Sequence, residues 1–255
     1  MIDERFVSLG AELSDWRGYR CWNFEFEGLQ MRVVLPRDPA RGRPWFWRPE
    51  FFNQFAETDE LLIECGWVMV FLDLPDHYGC PVAVDIFTRM YDFVTAFLGL
   101  AERMAIVALS RAGLSAYNFS SVNSSKVCAI YADNPVCDFR SWPGGAGAGV
   151  GSPEDWNKLI DRYQMSDSVA RCFERQPLSR AVLEPIVAAG IPVLHVCGDA
   201  DEIVPYEENS ARLGRRFSAL GGRYEEIVVA GRGHHPHGLK DPSPVVEFFT
   251  RAFAD

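Results

Sequence analysis

Ala105-Ile106-Val107-Ala108-Leu109-Ser110-Arg111-Ala112-Gly113-Leu114 is the stretch on which the reading of this chain turns. An apolar run stops at a serine, small residues flank that serine, and a helix-compatible segment continues from Arg111 to about Ser121. This order fits a strand that delivers a serine at a sharp turn, with a helix leaving directly behind it. Such a turn is strained, so the residues two before and two after the serine must be small. Here they are Ala108 and Ala112, with Gly113 next, where the standard G-x-S-x-G pattern has glycine at both places. The stretch keeps the steric requirement and departs from the literal pattern. Taken alone it also admits Ser110 as a simple N-cap of the following helix, and the rest of the chain has to decide.

Upstream, Tyr19 to Gly28 alternates, with Trp22, Phe24 and Phe26 on one side and Cys21, Asn23, Glu25 and Glu27 on the other. Gly28-Leu29 turns it, and Gln30 to Leu35 runs back, which predicts an N-terminal hairpin. Pro44 to Pro49 reads as a short apolar strand, Phe51 to Cys65 as a helix stopped by Gly66, Trp67 to Leu74 as a continuous apolar strand, and Val82 to Leu98 as an amphipathic helix. Downstream of the elbow, strands are expected at Lys126 to Ala132, Pro192 to Cys197 and Tyr224 to Ala230, and a closing helix at Ser243 to Phe253. A hairpin followed by alternating helices and continuous apolar strands implies an α/β fold. It predicts a mostly parallel sheet with an N-terminal antiparallel hairpin and helices on both faces. The 255 residues are expected to form one domain, 1–255.

One connection is too long for a simple crossover. Between Asp133 and Gly190 run Trp142-Pro143-Gly144-Gly145, a glycine-rich tract to Gly151, a helix start at Ser152-Pro153 and helical segments at Glu154 to Tyr163 and Ser166 to Arg175. An insertion over approximately 138–185 is expected, either as a lid over the strand ends or as a surface excursion.

Hydrophobic residues make up 48% and charged residues 24%, as in globular domains. The net charge of −10 argues against nucleic acid and anionic membrane surfaces as partners. The longest apolar stretch, Leu61 to Pro75, is interrupted by Glu64 and Asp73, too soon for a membrane span. Met1-Ile2-Asp3-Glu4-Arg5 has neither a basic n-region nor an apolar h-region. The seven cysteines are odd in number and without C-x-x-C spacing, and several lie inside apolar runs. Together these favour a reducing, cytoplasmic setting without disulfides, with export left open.

Chemistry-bearing residues then fall at strand ends. The elbow strand ends at Ser110, the strand to Cys197 ends in Gly198-Asp199-Ala200-Asp201-Glu202-Ile203-Val204-Pro205, and the last ends in Gly231-Arg232-Gly233-His234-His235-Pro236-His237. Functional residues of parallel sheets cluster just there. A serine hydroxyl is a weak nucleophile at neutral pH and needs a base to take its proton. An imidazole serves because its pKa lies near the working pH. A carboxylate on the far nitrogen fixes its tautomer and stabilises the imidazolium.

With these residues in view, the chain resembles the α/β-hydrolase superfamily over nearly its full length. Gly198 to Pro205 is similar to that superfamily's acid loop, G-x-x-D-x-x-V-P, which places the acid at Asp201. Gly231 to His234 is similar to its G-x-G-H loop, which places the base at His234. Three stretches are more narrowly similar to bacterial hydrolases associated with carbohydrate esters: Leu109 to Leu114, Tyr131 to Gly145, and His234-His235-Pro236-His237-Gly238-Leu239. That group usually shows S-R-G-G at the elbow, where this chain has Ser110-Arg111-Ala112-Gly113. The resemblance implies a serine esterase with an acyl-enzyme on Ser110, and the same Ser, Asp, His chain order.

Rivals stand beside each role. Asp199, Glu202 and Asp133 are alternative acids, Asp199 being better suited to bracing its loop and Glu202 to facing solvent. The oxyanion donors expected are the N–H of Arg111 and one from Trp47 or Arg48, because Pro49 has no N–H. Trp45 is expected in the core. Tyr78, Arg111, Trp142, Trp156 and His235 are the candidate substrate contacts, as aromatic faces and a cation suited to a sugar ester; either tryptophan reads equally as core packing, and Arg111 otherwise as a solvated helix residue. His235 and His237 read otherwise as loop packing. Three nearby histidines without a Cys or acidic cluster at ligand spacing do not predict a metal, and no organic cofactor is expected. The expected function is hydrolysis of an acyl or methyl ester on a small-molecule or oligosaccharide substrate. The alternatives are a peptidase resembling the prolyl oligopeptidase family, and a non-catalytic binding protein on the same scaffold.

Overall fold

The computed structural model describes residues 2–254. Its sheet has nine strands: β1 (Glu12–Trp16), β2 (Tyr19–Phe26), β3 (Leu29–Leu35), β4 (Trp45–Arg48), β5 (Val68–Leu72), β6 (Met104–Leu109), β7 (Val127–Asp133), β8 (Val193–Gly198) and β9 (Tyr224–Val229). The spatial order is β1-β2-β3-β5-β4-β6-β7-β8-β9. The pairs from β1 to β5 are antiparallel up to β3–β5, and every later pair is parallel. The mostly parallel sheet and its antiparallel N-terminal hairpin are as the sequence predicts. The hairpin register pairs Phe24 with Met31 and Phe26 with Leu29.

Strand β6 shows why its run is apolar throughout. Met104, Ile106 and Ala108 join one core with Phe87, Ala116, Phe119 and Ile186, while Ala105 and Val107 join a second core with Leu62, Phe248 and Phe249. Period-two alternation therefore feeds both faces, and a strand buried on both sides has no polar positions to spare. The first face carries α1 (Ile2–Ser8), α3 (Pro81–Phe93), α4 (Ala112–Val122), α7 (Arg180–Ala188) and α8 (Ser210–Ala219). The second carries α2 (Glu57–Glu64) and α9 (Ser243–Ala254). Helix α3 passes into a π-turn, Val94–Leu98, which ends at the left-handed Gly99. No described helix is long and apolar enough to cross a membrane.

Between β7 and β8 the chain makes α5 (Pro153–Arg162), α6 (Asp167–Cys172) and α7. Helices α5 and α6 build a small separate cluster, in which Trp156, Leu159 and Ala170 meet Tyr78, Leu114 and Phe139. Helix α7 packs instead into the large core through Val182, Leu183 and Ile186. Ser152 caps α5, its hydroxyl accepting from the N–H of Asp155 at 3.3 Å.

The helix expected over Phe51 to Cys65 forms only from Glu57. Phe51, Asn53 and Phe55 adopt left-handed φ of 61°, 66° and 49°. For residues with a Cβ, such backbone costs about 1–3 kcal/mol each and needs compensation. Arg48 supplies it. Its guanidinium is fully buried; Nε donates to Glu50 O (3.1 Å), Nη2 to Phe51 O (3.3 Å) and Gln54 O (2.5 Å), and Nη1 to Asp59 (3.0 Å). Carbonyls that a helix would use are taken by a side chain, so the segment stays a loop. Helix periodicity carried no sign of this, because the cause is one buried cation contributed by the preceding strand.

Candidate active site

The strand–serine–helix turn forms at Ser110, whose φ is +51°. Ser110 N donates to Asp133 O (2.9 Å), while its own carbonyl accepts from Gly113 N (3.0 Å) and Val136 N (2.9 Å). Both flanking alanines, Ala108 and Ala112, are buried without opening the turn. The position with no room is Gly113: a Cβ there would lie 2.8 Å from Pro135 Cβ and 2.8 Å from Val136 O.

Ser110 Oγ lies 2.8 Å from His234 Nε2, and His234 Nδ1 lies 2.7 Å from Asp201 Oδ2. Because Nδ1 faces a carboxylate it carries the ring proton, so Nε2 is the acceptor for the serine hydroxyl. The second oxygen of Asp201, Oδ1, accepts from Ile203 N (2.9 Å) and Val204 N (2.8 Å). All three side chains are buried, and Ser110 is 9% exposed. Asn134 ties the two loops together, accepting from Gly198 N (2.8 Å) and donating to His234 O (3.0 Å). Sequence reading passed over this asparagine, whose position at the end of β7 was its only signal.

The rival acids go elsewhere. Asp133 accepts from His237 Nδ1 (2.7 Å), Gly238 N (3.0 Å) and Arg232 Nη2 (3.3 Å). Asp199 accepts from Gly231 N (2.6 Å), joining the acid and histidine loops, and Glu202 is exposed. Burial lowers the pKa of His237, against the opposing pull of Asp133, and burial also lowers that of His235.

A cleft of about 320 Å³ opens over Ser110, lined among others by Arg111, Trp142, Asp155, His234 and His235. Arg111, Trp142 and His235 thus stand at the cleft. Tyr78 and Trp156 do not line it. Tyr78 is fully buried and donates to Asp155 Oδ1 (2.6 Å), burial pushing its hydroxyl pKa up; Trp156 lies in the cluster beneath α5 and donates to Asp167 Oδ1 (2.7 Å). Both pack in the cluster that α5 and α6 build, the ordinary use of a large aromatic ring.

Trp47 and Arg48 also lie away from the cleft. Trp47 is paired with both neighbouring strands and packs on Phe87 and Phe119 at ring distances of 4.4 and 5.1 Å, and Arg48 is engaged as described above. The segment that reaches the cleft from this side is the left-handed loop, through Phe51, Gln54 and Phe55. Those residues were missed because they were read as helix.

Arg111 is not a free cation. Its Nε lies 2.6 Å from Glu50, and its Nη1 lies 2.8 Å from Asp76 and 3.2 Å from Asp155. The guanidinium also sits over the rings of Phe51 and Tyr78, at 5.5 and 5.4 Å. Burial alone would lower its pKa, but the carboxylates outweigh that and raise it. Burial raises Glu50 to about 7 in spite of Arg111. A substrate carboxylate would therefore meet a cation already answered by three acids.

No family model and no curated protein sequence matches the chain. Solved structures do match. Est1E from Butyrivibrio proteoclasticus superposes with a TM-score of 0.65 at 20% identity, over 96% of this chain and 99% of that one. A Mycobacterium tuberculosis puromycin-hydrolyzing peptidase gives 0.68 at 17% identity, over 90% of this chain and 38% of that one. A Pyrococcus horikoshii acylaminoacyl peptidase gives 0.69 at 14%, over 94% and 44%. The chain spans nearly all of the first and less than half the length of each peptidase. The likeness, with the strand order above, shows the α/β-hydrolase fold.

Proposed function

We propose that this chain is a serine hydrolase that cleaves a carboxylic ester, an acyl or methyl ester on a carbohydrate, through an acyl-enzyme on Ser110. The observation that carries the reading is the hydrogen-bonded line Ser110–His234–Asp201, at 2.8 and 2.7 Å. His234 takes the serine proton as Oγ attacks the ester carbonyl, then returns it to the leaving alcohol. In the second half-reaction it takes a proton from water, which attacks the acyl-enzyme and frees Ser110. Asp201, held by two backbone N–H groups, orients the imidazole and stabilises the imidazolium. The developing oxyanion is held by the N–H of Arg111, directly after the nucleophile, and by a donor on the Phe51–Phe55 loop, which lines the cleft where Trp47 and Arg48 do not.

The ester reading draws on the motifs shared with carbohydrate-ester hydrolases and on the cleft wall, where the half-buried Trp142 offers a flat apolar face to a sugar ring. A second reading, peptide-bond hydrolysis, is favoured by the likeness to parts of two peptidases. A panel of acetylated and methyl-esterified glycans, run beside acylated amino-acid and Pro-containing chromogenic peptides, separates the two. Ser110→Ala should abolish both turnover of an activated acetyl ester and labelling by a fluorophosphonate. Wild-type-like labelling of that variant would remove Ser110 from its role.

A further inference from the structure

The loop after β9 brings three imidazoles together. The rings of His234, His235 and His237 form a nearly equilateral triangle, with centroids 4.8, 4.9 and 4.9 Å apart and planes crossed at 70°, 80° and 90°. One ring nitrogen from each lies within 4.8 Å of the other two. Two of the three are backed in the same way: His234 Nδ1 faces Asp201 and His237 Nδ1 faces Asp133, both at 2.7 Å. A carboxylate on Nδ1 fixes the tautomer that presents a basic Nε2, the arrangement that orients histidine ligands around transition metals.

We propose that His234, His235 and His237 form a binding site for a divalent transition metal of the class that favours imidazole, such as Zn²⁺, and that metal binding and serine turnover exclude one another. A tetrahedral ion with metal–nitrogen bonds of about 2.0–2.1 Å holds its ligand nitrogens roughly 3.3 Å apart. The triangle must therefore tighten by about 1.5 Å at most from the observed separations. His235 is exposed and stacked on Phe55 at a ring distance of 5.5 Å, and it is the ligand that would swing inward, whereas His234 and His237 are buried and held by Asp201 and Asp133. The fourth position faces the cleft and takes water or a small anion.

Exclusion follows from the number of lone pairs. His234 Nε2 has one, and in this structure it is directed at Ser110. If the lone pair is given to the metal it cannot accept the serine proton. Sequence spacing argued against a metal because it looked for cysteines or acids among the ligands; here the acids stand behind the imidazoles instead of beside them. Binding itself does not depend on the role assigned to Ser110. Only the inhibition rests on the proposed hydrolase reading.

The test uses the untagged 255-residue chain. Zn²⁺ titration by calorimetry and the visible absorption of Co²⁺ are recorded on wild type and on Ser110→Ala, which removes the competing hydroxyl. One ion per chain is expected, bound more tightly by Ser110→Ala, with a tetrahedral Co²⁺ spectrum. His235→Ala and His237→Gln should each weaken binding by about 10–100-fold or more, while His77→Ala should not change it. His235→Ala is the decisive variant, since an exposed side chain can be removed without unfolding the protein. Ester turnover by wild type should fall with free Zn²⁺ and return with a chelator. No Zn²⁺ binding, affinity unchanged in folded His235→Ala, or turnover raised by Zn²⁺ would overturn the proposal. Metal binding lost in both histidine variants, together with no hydrolysis of any ester in chelator, supports the metal site and removes the hydrolase reading.

Discussion

Asp133 accepts from His237 Nδ1 at 2.7 Å, the same distance at which Asp201 accepts from His234 Nδ1. Two carboxylate–imidazole pairs thus lie side by side at the strand ends, and only the second extends to Ser110. The two aspartates should respond differently to loss of charge. Asp201→Asn is expected to lower kcat by about 10⁴-fold, the scale seen when a triad carboxylate becomes an amide that mis-sets the histidine tautomer. Asp133→Ala should act mainly on stability. It leaves the nearly buried Arg232 guanidinium without its carboxylate, which costs about 3–5 kcal/mol for a buried pair. Steady-state kinetics and urea unfolding on both variants check this, and a kcat loss from Asp133→Ala as large as that from Asp201→Asn would contradict it.

At the elbow the tight position is one residue further along than the G-x-S-x-G pattern suggests. A methyl group at Gly113 would meet Pro135 Cβ and Val136 O at 2.8 Å, whereas the methyl of Ala112 is already accommodated. Gly113→Ala should therefore destabilise by about 1–3 kcal/mol, as overpacking does, and lower kcat by moving Ser110. Ala112→Gly should cost no more than about 1 kcal/mol, the helix preference of alanine over glycine, with kcat nearly unchanged. Thermal melts and ester kinetics on the pair distinguish them.

The same contrast shows what the chain discloses by itself. Strands β6, β7 and β8 are legible because continuous apolar runs report burial on both faces. Ser110 and Asp201 are legible because each follows such a run within a short motif, and His234 because its G-x-G-H motif stands out even though β9 before it carries Glu225 and Glu226 and is not buried. The loop at Phe51 to Phe55 is not legible. Its shape is set by Arg48, a residue whose type and position look like an ordinary strand end, and the resulting left-handed backbone has no glycine to announce it. Tyr78 is not at the cleft, and of the two readings open for Trp156 the packed one holds, for a related reason: composition identifies an aromatic ring but not which side of a loop it faces. Helix α8 was missed because Gly214, packed against the ring of Tyr224, lies in its middle, and isolated glycine lowers helix propensity.

Arg48 offers a direct test of that loop. Arg48→Met should leave Asp59 as an unanswered buried charge and release the carbonyls of Glu50, Phe51 and Gln54. A loss of about 3–5 kcal/mol is expected, together with a fall in kcat/KM, because Phe51, Gln54 and Phe55 line the cleft. Burial raises the pKa of Asp59 against the pull of Arg48, so its charge depends on that partner. Adding Asp59→Leu to Arg48→Met should recover part of the stability without the activity, since the orphaned charge is gone while the loop stays unheld. Recovery of both by the double variant would show that the loop keeps its form without Arg48.

Glu50 links stability to pH. It is buried against Arg111, and burial raises its pKa from 4.5 to about 7. The folded protein then holds this proton more tightly than the unfolded chain does. The contribution is complete below pH 4.5 and is lost as pH rises through about 7. At about 1.4 kcal/mol per pKa unit, up to roughly 3 kcal/mol of stability should disappear across that window. Glu50→Gln cannot ionise, so its stability should change less between pH 5 and pH 8 than that of wild type, by about that amount. Urea unfolding at the two pH values, analysed as the difference between the two proteins, measures it. An identical pH dependence would mean that Glu50 stays ionised beside Arg111 throughout, with the guanidinium outweighing burial.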